Sequence, residues 1–245
     1  MLRGLERAAP QPARIAPFMM NVFEDRRHAG RALAHAVREQ LDTAGAIVLG
    51  LPRGGVPVAF EVAWALHLPL DVFVVRKLGV PGQQELAMGA VASGGLVVVQ
   101  EDVVRAFGIS AATIDTAAAT ALEEIARHEA LYREGRQQAR VEGRSVILID
   151  DGLATGSTMR AAVRALRPVA GRVSVAVPVA AAASCDELRR EVDALACLEM
   201  PDPFHAVGEF YRNFDQTPDE EVRALLAAAY HEAEMQDKSP SGQRL

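Results

Sequence analysis

Two adjacent acids, Asp150 and Asp151, follow a run of aliphatic residues and precede a segment of small and hydroxyl residues. The aliphatic run at 146–149 predicts a buried strand, and the segment 154–158 predicts a loop that enters a helix near Ser157. Free N–H groups at the start of that helix, its dipole and the nearby hydroxyls would hold a phosphate monoester. Two carboxylates beside this phosphate cannot bind it themselves, so they should face hydroxyl groups or a divalent cation. The alternative is an acidic turn before a capped helix, with no ligand.

A second loop, residues 51–57, follows another predicted strand and contains Arg53, Gly54 and Gly55. The glycines expose backbone N–H groups, and the Arg53 guanidinium offers a fork of donors that matches phosphate oxygens. Because Gly-Gly turns are common, this loop indicates a phosphate contact only in combination with the acidic segment. The chain contains neither a GxxxxGK[ST] sequence nor a GxGxxG sequence, so it lacks the two common nucleotide-binding loops.

Residues 76–90 form a third candidate segment, with two cations, Arg76 and Lys77, and a carboxylate, Glu85. Two glycines and a proline within residues 77–85 predict a flexible loop. A mobile charged loop can close over a site and expel water. The alternatives are that both cations are solvated at a strand end and that Glu85 has no functional role.

The acidic segment resembles the phosphoribosyl-pyrophosphate motif of the type I phosphoribosyltransferases, which combines an aliphatic strand, an acidic pair and a Thr-Gly-rich phosphate loop. The resemblance extends from about residue 22 to about residue 222. It implies that Asp150 and Asp151 hold the ribose hydroxyls, directly or through a metal-bound water, and that they are the expected ligands of Mg²⁺. It also implies that the sugar phosphate binds to a loop of small residues: Ala154, Thr155, Gly156, Ser157 and Thr158.

The same resemblance implies roles for the other two segments. Arg53, Gly54 and Gly55 are expected to bind pyrophosphate, and the Arg53–Gly54 peptide is the bond expected to be strained or cis. Lys77 is expected to balance the charge of the pyrophosphate, and Glu85 to handle a proton or contact the metal. The expected catalytic residues are therefore Arg53, Lys77, Glu85 and Asp151.

The acceptor end is the least determined part of the expected site. In this family the chain ends build a small hood over the sheet, and the acceptor base sits beneath it. Phe204, Phe210 and Tyr211 are the candidate acceptor-binding residues, because aromatic faces stack on planar bases. The alternative is that they form the core of the hood. Hypoxanthine and guanine enzymes of the family carry an aspartate where this chain has Ala154, so their activity is not expected. The adenine-type loop is closer, but it does not identify the acceptor.

Strands and helices alternate along the chain, which predicts an α/β fold with a doubly wound, mainly parallel sheet. Ligands bind beyond the carboxyl ends of the strands in such sheets, so the loops described above should meet there. The predicted strands are 46–50, 71–76, 145–149, 172–179 and 195–198, with a hairpin over 87–92 and 96–100. The predicted helices are 27–40, 56–66, about 111–138, 157–166, 184–192 and about 219–235.

Composition limits the classes of partner. The chain has 245 residues and a formal net charge of -6, which does not favour nucleic acid or an anionic membrane. No apolar run is long enough to span a bilayer, and no signal-peptide pattern is present, so the cytoplasm is the expected location. Cys185 and Cys197 lack metal-ligand spacing and are expected to be reduced.

One domain is expected over residues 21–235, between a flexible leader (1–20) and a flexible tail (236–245). The hood would take its residues from about 21–30 and about 200–216. A homodimer is compatible with this organisation.

The expected function is transfer of the phosphoribosyl group from Mg²⁺-bound phosphoribosyl pyrophosphate to a base or amine, with release of pyrophosphate. One alternative is a regulatory protein that senses phosphoribosyl pyrophosphate or a nucleotide without turnover. Another is a phosphohydrolase with the same phosphate loop. The resemblance also implies that residues 76–90 form a mobile lid over the reaction centre. Lys77 and Glu85 in this lid favour catalysis, because a sensor needs no lid.

Overall fold

The computed structural model of the protein describes residues 22–238, apart from the side chains of residues 84, 85 and 236–238. The strands in order are β1 (Ile47–Gly50), β2 (Leu70–Val72), β3 (Val75–Val80), β4 (Gln83–Ala92), β5 (Leu96–Val99), β6 (Ser145–Ile149), β7 (Arg172–Val179) and β8 (Ala194–Glu199). The helices are α1 (Arg26–Gln40), α2 (Gly55–Leu66), α3 (Glu101–Phe107), α4 (Ala111–Arg133), α5 (Ser157–Leu166), α6 (Ala182–Arg189) and α7 (Asp219–Lys238). The predicted leader lies outside the described residues, and α7 extends three residues into the predicted tail.

A five-stranded parallel sheet forms the centre of the fold, in the order β2-β1-β6-β7-β8. Its inner strands are continuous aliphatic runs because helices cover both faces. Val48 and Ile147 pack towards α1 and α2, whereas Ile47 and Leu148 pack towards α5 on the opposite face. The predicted doubly wound, mainly parallel α/β fold is therefore confirmed.

The predicted strand over residues 71–76 is two strands that belong to two different sheets. The chain leaves the parallel sheet after β2, passes through buried Phe73 and Val74, and enters a three-stranded antiparallel sheet in the order β3-β4-β5. The Phe73 N–H still bonds the Gly50 carbonyl at 3.0 Å, whereas the Val74 N–H turns to the Ser93 hydroxyl at 2.8 Å. A continuous apolar run gave no signal for this change of partner.

The prediction of a flexible loop over residues 77–85 is wrong, because these residues form the turn and the adjoining strand ends of the β3–β4 hairpin. The glycine and proline signals mark only a tight turn, in which Gly82 takes a positive φ of 81°. Leu78, Val80 and Met88 are buried against α4, which fixes the hairpin to the rest of the fold.

Helix α4 ends at Arg133, five residues before the predicted boundary, because Glu134 and Gly135 both take positive φ values. The short helix α3 was not predicted.

Arg133 is buried, and its Nε donates to Asp71 Oδ1 at 3.0 Å and to Oδ2 at 3.2 Å. Its Nη1 lies 2.9 Å from Glu129, and its Nη2 donates to the Val72 carbonyl at 3.0 Å. These contacts fasten the end of α4 to β2.

The segment before α1 pairs beside the sheet with the segment that precedes α7. The Phe23 N–H donates to the Phe210 carbonyl, and the Arg212 N–H donates to the Phe23 carbonyl, each at 2.8 Å. Phe23, Phe210 and Tyr211 then form a small apolar cluster with Ala29 of α1. Among residues 22–238, no helix is both long and apolar enough to cross a membrane.

Candidate functional site

The loops that follow β1 and β6 meet because these neighbouring strands are parallel and end at the same edge of the sheet. The Leu51 N–H donates to the Ile149 carbonyl at 2.9 Å. A Cβ on Gly55 would lie only 2.7 Å from that carbonyl oxygen and 2.8 Å from the Cα of Asp150. A Cβ on Gly54 would overlap the Asp151 carboxylate. Glycine at both positions therefore lets one loop press against the acidic pair of the other.

The cis peptide of the first loop is Pro52–Arg53, one bond before the predicted Arg53–Gly54 bond. The prediction of a cis Arg53–Gly54 bond is therefore wrong by one position, and Gly54 caps α2 with helical φ and ψ angles. The Gly55 N–H donates to the Leu51 carbonyl at 3.0 Å, so the first helical turn begins directly after Arg53.

The acidic pair is held from several directions. The Arg26 Nε donates to Asp151 Oδ2 at 2.8 Å, and the Tyr211 hydroxyl donates to the Asp151 carbonyl at 2.6 Å. The Asp151 N–H donates to Asp150 Oδ1 at 2.9 Å. Burial, followed by the adjacent Asp151 charge, raises the pKa of Asp150 well above its usual range. Burial also raises the pKa of Asp151, although Arg26 opposes this effect.

Arg26 is a site residue to which the sequence analysis gave no role. Its guanidinium lies 4.0 Å above the centre of the Phe214 ring, and its Nη1 donates to the Asp215 carbonyl at 2.7 Å. The Arg26 side chain thus connects Asp151 with Phe214 and Asp215, in the segment that precedes α7. The signal for it was a cationic pair, Arg26-Arg27, inside the segment that resembles the family.

The predicted phosphate loop leads directly into α5. Gly156 caps this helix with a positive φ of 65°, and the four other loop residues are exposed. The Ser184 hydroxyl, from α6, donates to the Ala154 carbonyl at 2.5 Å and supports the loop from below. The Thr155 hydroxyl lies 3.3 Å from that of Ser157. Exposed hydroxyls and the N–H groups of a helix start therefore lie together, as phosphate binding requires.

A cavity of about 330 Å³ opens beside the Pro52–Arg53 peptide. Arg53, Arg76 and Thr158 line it, so two cations face the start of α5 across an anion-sized space. Asp219 of α7 also lines the cavity: its Oδ1 lies 3.9 Å from Arg53 Nη1 and accepts a hydrogen bond of 2.8 Å from Tyr132. Burial and the contact with Asp219 raise the pKa of Tyr132 to about 12. Neither Tyr132 nor Asp219 was predicted.

The structure does not bring Lys77 to this cavity. Alternation along β3 points Arg76 towards Arg53, whereas Lys77 is exposed and lines a separate groove of about 200 Å³ with Ser157 and Arg164. Glu85 belongs to β4, but its side chain lies outside the part of the chain that the structure describes. The expected roles of both residues stay predictions, and Arg76 is the cation of this pair that lines the cavity with Arg53.

Two of the three candidate acceptor-binding aromatics are buried. Phe210 is 1% exposed and Tyr211 is 6% exposed, because both pack in the apolar cluster with Phe23 and Ala29. Phe204 is half-buried, and its ring stacks on Phe210 with 5.7 Å between the centroids. The structure therefore gives Phe210 and Tyr211 a packing role, and stacking on a base stays a prediction for Phe204.

The acidic pair fits a partial ligand set for Mg²⁺. Among the described residues, no group of three or more His, Cys, Asp or Glu side chains could hold a metal ion. Magnesium usually takes one or two carboxylates and completes its shell with water and substrate phosphate oxygens. Asp150 and Asp151 each present a second carboxylate oxygen that is not engaged by the hydrogen bonds described above.

We expect Asp150→Asn to stabilise the ligand-free protein at pH about 8 by about 1 kcal/mol, because it removes a buried charge that also lies beside the like charge of Asp151. Because the pKa of Asp150 is raised in the folded protein, the stability that this group contributes is fully present below the ordinary carboxyl pKa, where Asp150 is protonated. That stability is lost as the pH rises through the raised pKa. The gain should therefore vanish at pH about 4. Thermal unfolding at both pH values measures it. Asp115→Asn, at an exposed position on α4, is the control. Destabilisation by Asp150→Asn at the higher pH would contradict this account.

Comparison with known proteins gives consistent matches. The family model for the phosphoribosyl transferase domain matches residues 23–215. Two curated proteins from strains of Mycobacterium tuberculosis, each named "Putative phosphoribosyl transferase", are 46% identical over 214 residues. The match covers 87% of this chain but 48% of each of those proteins, so the chain spans about half their length.

Two solved structures are similar to this chain to different degrees. A protein from Thermus thermophilus is 41% identical and superposes with a TM-score of 0.76, over 84% of this chain and 98% of that one. A purine phosphoribosyltransferase from Pyrococcus horikoshii is 15% identical, with a TM-score of 0.41, over 77% of this chain and 99% of that one.

Proposed function

This chain belongs to the phosphoribosyl transferase domain family, and from that premise we propose that it transfers the phosphoribosyl group of phosphoribosyl pyrophosphate to a nitrogenous acceptor, with release of pyrophosphate. The observation that carries the proposal is the meeting of three partial sites at one edge of the sheet. The acidic pair, the phosphate loop and the cation-lined cavity lie on the loops after β6 and β1 and at the start of α5.

Each part of the substrate has a matching part of the site. The ribose hydroxyls would face Asp150 and Asp151, and the sugar phosphate would bind at the loop of residues 154–158. The pyrophosphate would enter the cavity, where Arg53 and Arg76 can donate to its oxygens. Binding of these non-reacting groups would fix the position of C1 relative to the acceptor, which is a large part of the catalysis expected here.

The leaving group carries most of the charge that the reaction must stabilise. As the bond from C1 to the pyrophosphate oxygen breaks, the electron pair goes to pyrophosphate and the sugar becomes oxocarbenium-like, as in other glycosyl transfers. Arg53 and Arg76 are already placed at the cavity, so they can stabilise this charge without rearrangement. Mg²⁺ held by Asp150, Asp151 and substrate oxygens would neutralise part of the same charge.

We expect Arg53→Ala to lower the rate of pyrophosphate release by about a hundredfold, the typical loss for one donor to a developing anion. The assay incubates protein, Mg²⁺ and phosphoribosyl pyrophosphate with a panel of bases and amines and measures released pyrophosphate. Ribose 5-phosphate affinity should change by less than about twofold, because Arg53 belongs to the loop after β1 and not to the loop of residues 154–158 proposed for the sugar phosphate. Arg189→Ala, which removes an exposed cation on α6, is the matched control.

The panel also separates the alternatives. Release with one acceptor identifies the enzyme's second substrate. Tight binding of phosphoribosyl pyrophosphate with no release for any acceptor would contradict catalysis and support a sensor. Release of inorganic phosphate instead of pyrophosphate would support a phosphohydrolase.

A further inference from the structure

Helix α4 supplies the cavity with a side chain that the proposed function has not used. His128 lines the same space of about 330 Å³ as Arg53, Arg76 and Thr158. The four side chains come from the loop after β1, from β3, from α4 and from α5. Donors that converge from four elements are suited to an anion with several oxygens, such as a diphosphate.

The hydrogen bond of the imidazole fixes which nitrogen is available. His128 Nδ1 lies 2.8 Å from the Glu124 carbonyl oxygen, one helical turn earlier. Because a carbonyl oxygen can only accept, Nδ1 carries the proton in this contact. Nε2 is therefore the nitrogen that can interact with a ligand, and in the imidazolium form it donates.

The net charge of the cavity depends on His128, because the other charged groups around it form pairs of opposite sign. Arg53 faces Asp219 at 3.9 Å, and Arg76 faces Glu124 at 3.5 Å, so each arginine has one carboxylate near it. Both distances are too long for good hydrogen bonds. The Arg76 Nε is moreover buried without a hydrogen-bond partner among the described residues. The two ion pairs cancel in charge, so an imidazolium at position 128 gives the cavity a net positive charge, while both guanidinium groups keep free donors.

We propose that His128 is a substrate-binding residue that donates from Nε2 to a phosphate oxygen of pyrophosphate. The inference rests on the proposed function, because it assumes that the pyrophosphate enters this cavity. It adds a residue from a helix outside the parallel sheet, and it gives α4 a part in recognising a diphosphate rather than a monophosphate.

Isothermal titration of inorganic pyrophosphate with Mg²⁺ tests the proposal, with ribose 5-phosphate titrated in parallel. We expect His128→Ala to weaken pyrophosphate binding about tenfold, the loss of one charge-assisted hydrogen bond. Ribose 5-phosphate affinity should stay within about twofold, since Thr158 is the one residue of the loop proposed for its phosphate that lines this cavity. His128→Gln keeps a neutral donor and should lose less. His35→Ala, which removes an exposed histidine on α1, should leave both affinities unchanged.

The outcomes distinguish this proposal from the proposed function. If the wild type binds both ligands and His128→Ala binds pyrophosphate as tightly as the wild type, the role of His128 is refuted while the proposed function stands. Equal losses for both ligands, with His128→Gln behaving in the same way, would also refute it, because the effect would then be general. If the wild type binds neither ligand, the proposed function fails and the inference fails with it.

Discussion

Gly55→Ala should lower the free energy of unfolding by about 3 kcal/mol and reduce pyrophosphate release by about a hundredfold or more. The added Cβ would meet the Ile149 carbonyl oxygen at 2.7 Å and the Asp150 Cα at 2.8 Å, and both are backbone atoms. The start of α2 must therefore move away from the end of β6. That movement separates the Arg53 loop from the acidic pair. The pyrophosphate and ribose parts of the substrate could then no longer bind in the correct relative position.

Urea unfolding and the pyrophosphate assay measure the two effects of Gly55→Ala. Gly108→Ala is the control, because it is also a glycine-to-alanine change at the end of a helix, but nothing lies within 4 Å of its Cβ. Its positive φ of 60° should cost about 1 kcal/mol without loss of activity. Full stability and activity of Gly55→Ala would show that the two loops are not in close contact.

Arg133→Leu should cost about 4 kcal/mol of unfolding free energy. The substitution leaves Asp71, which is 7% exposed, without its cationic partner, and it also removes the partner of Glu129. A buried charge that loses its counter-ion pays its desolvation penalty without compensation. His128 and Tyr132 lie within two turns of Arg133, so release of this helix end should also weaken pyrophosphate binding.

Equilibrium unfolding in urea measures the loss, and Arg189→Leu provides the comparison. Arg189 pairs with Asp186 on the surface at 2.7 Å, and such pairs contribute at most about 1 kcal/mol. Adding Asp71→Asn to Arg133→Leu should recover part of the stability, because it removes the unpaired charge. A cost of Arg133→Leu no larger than that of Arg189→Leu would mean that the buried network does not support α4.

The central sheet and the candidate binding loops could be predicted because the residue patterns that indicate them lie within short stretches of the sequence. An aliphatic run such as 146–149 indicates a buried strand by itself, and the hydroxyl-rich loop after it marks a helix start. The failures have a common cause. Residues 77–85 combine turn residues with strand residues, and burial against α4, which is distant in sequence, decides in favour of the hairpin.

The residues that support the site were missed for the same reason. Arg26 reaches Asp151 across 125 positions, and Tyr211 reaches it across 60. Asp219 approaches Arg53 from the last helix, and no spacing in the sequence connects these two residues. Arg76 lines the cavity and Lys77 does not because of the register of β3, which neighbouring residues alone do not determine.

Asp151 depends on the same part of the chain that would face the acceptor. Arg26 and Tyr211 hold this acid, and both contact the ring of Phe214. During evolution, a change of acceptor that reshaped residues 204–215 would also displace Asp151, the group proposed to bind the sugar. New acceptor preferences in this lineage should therefore arise through substitutions that leave Tyr211 and Phe214 in place, which makes these two residues a constraint on the divergence of specificity.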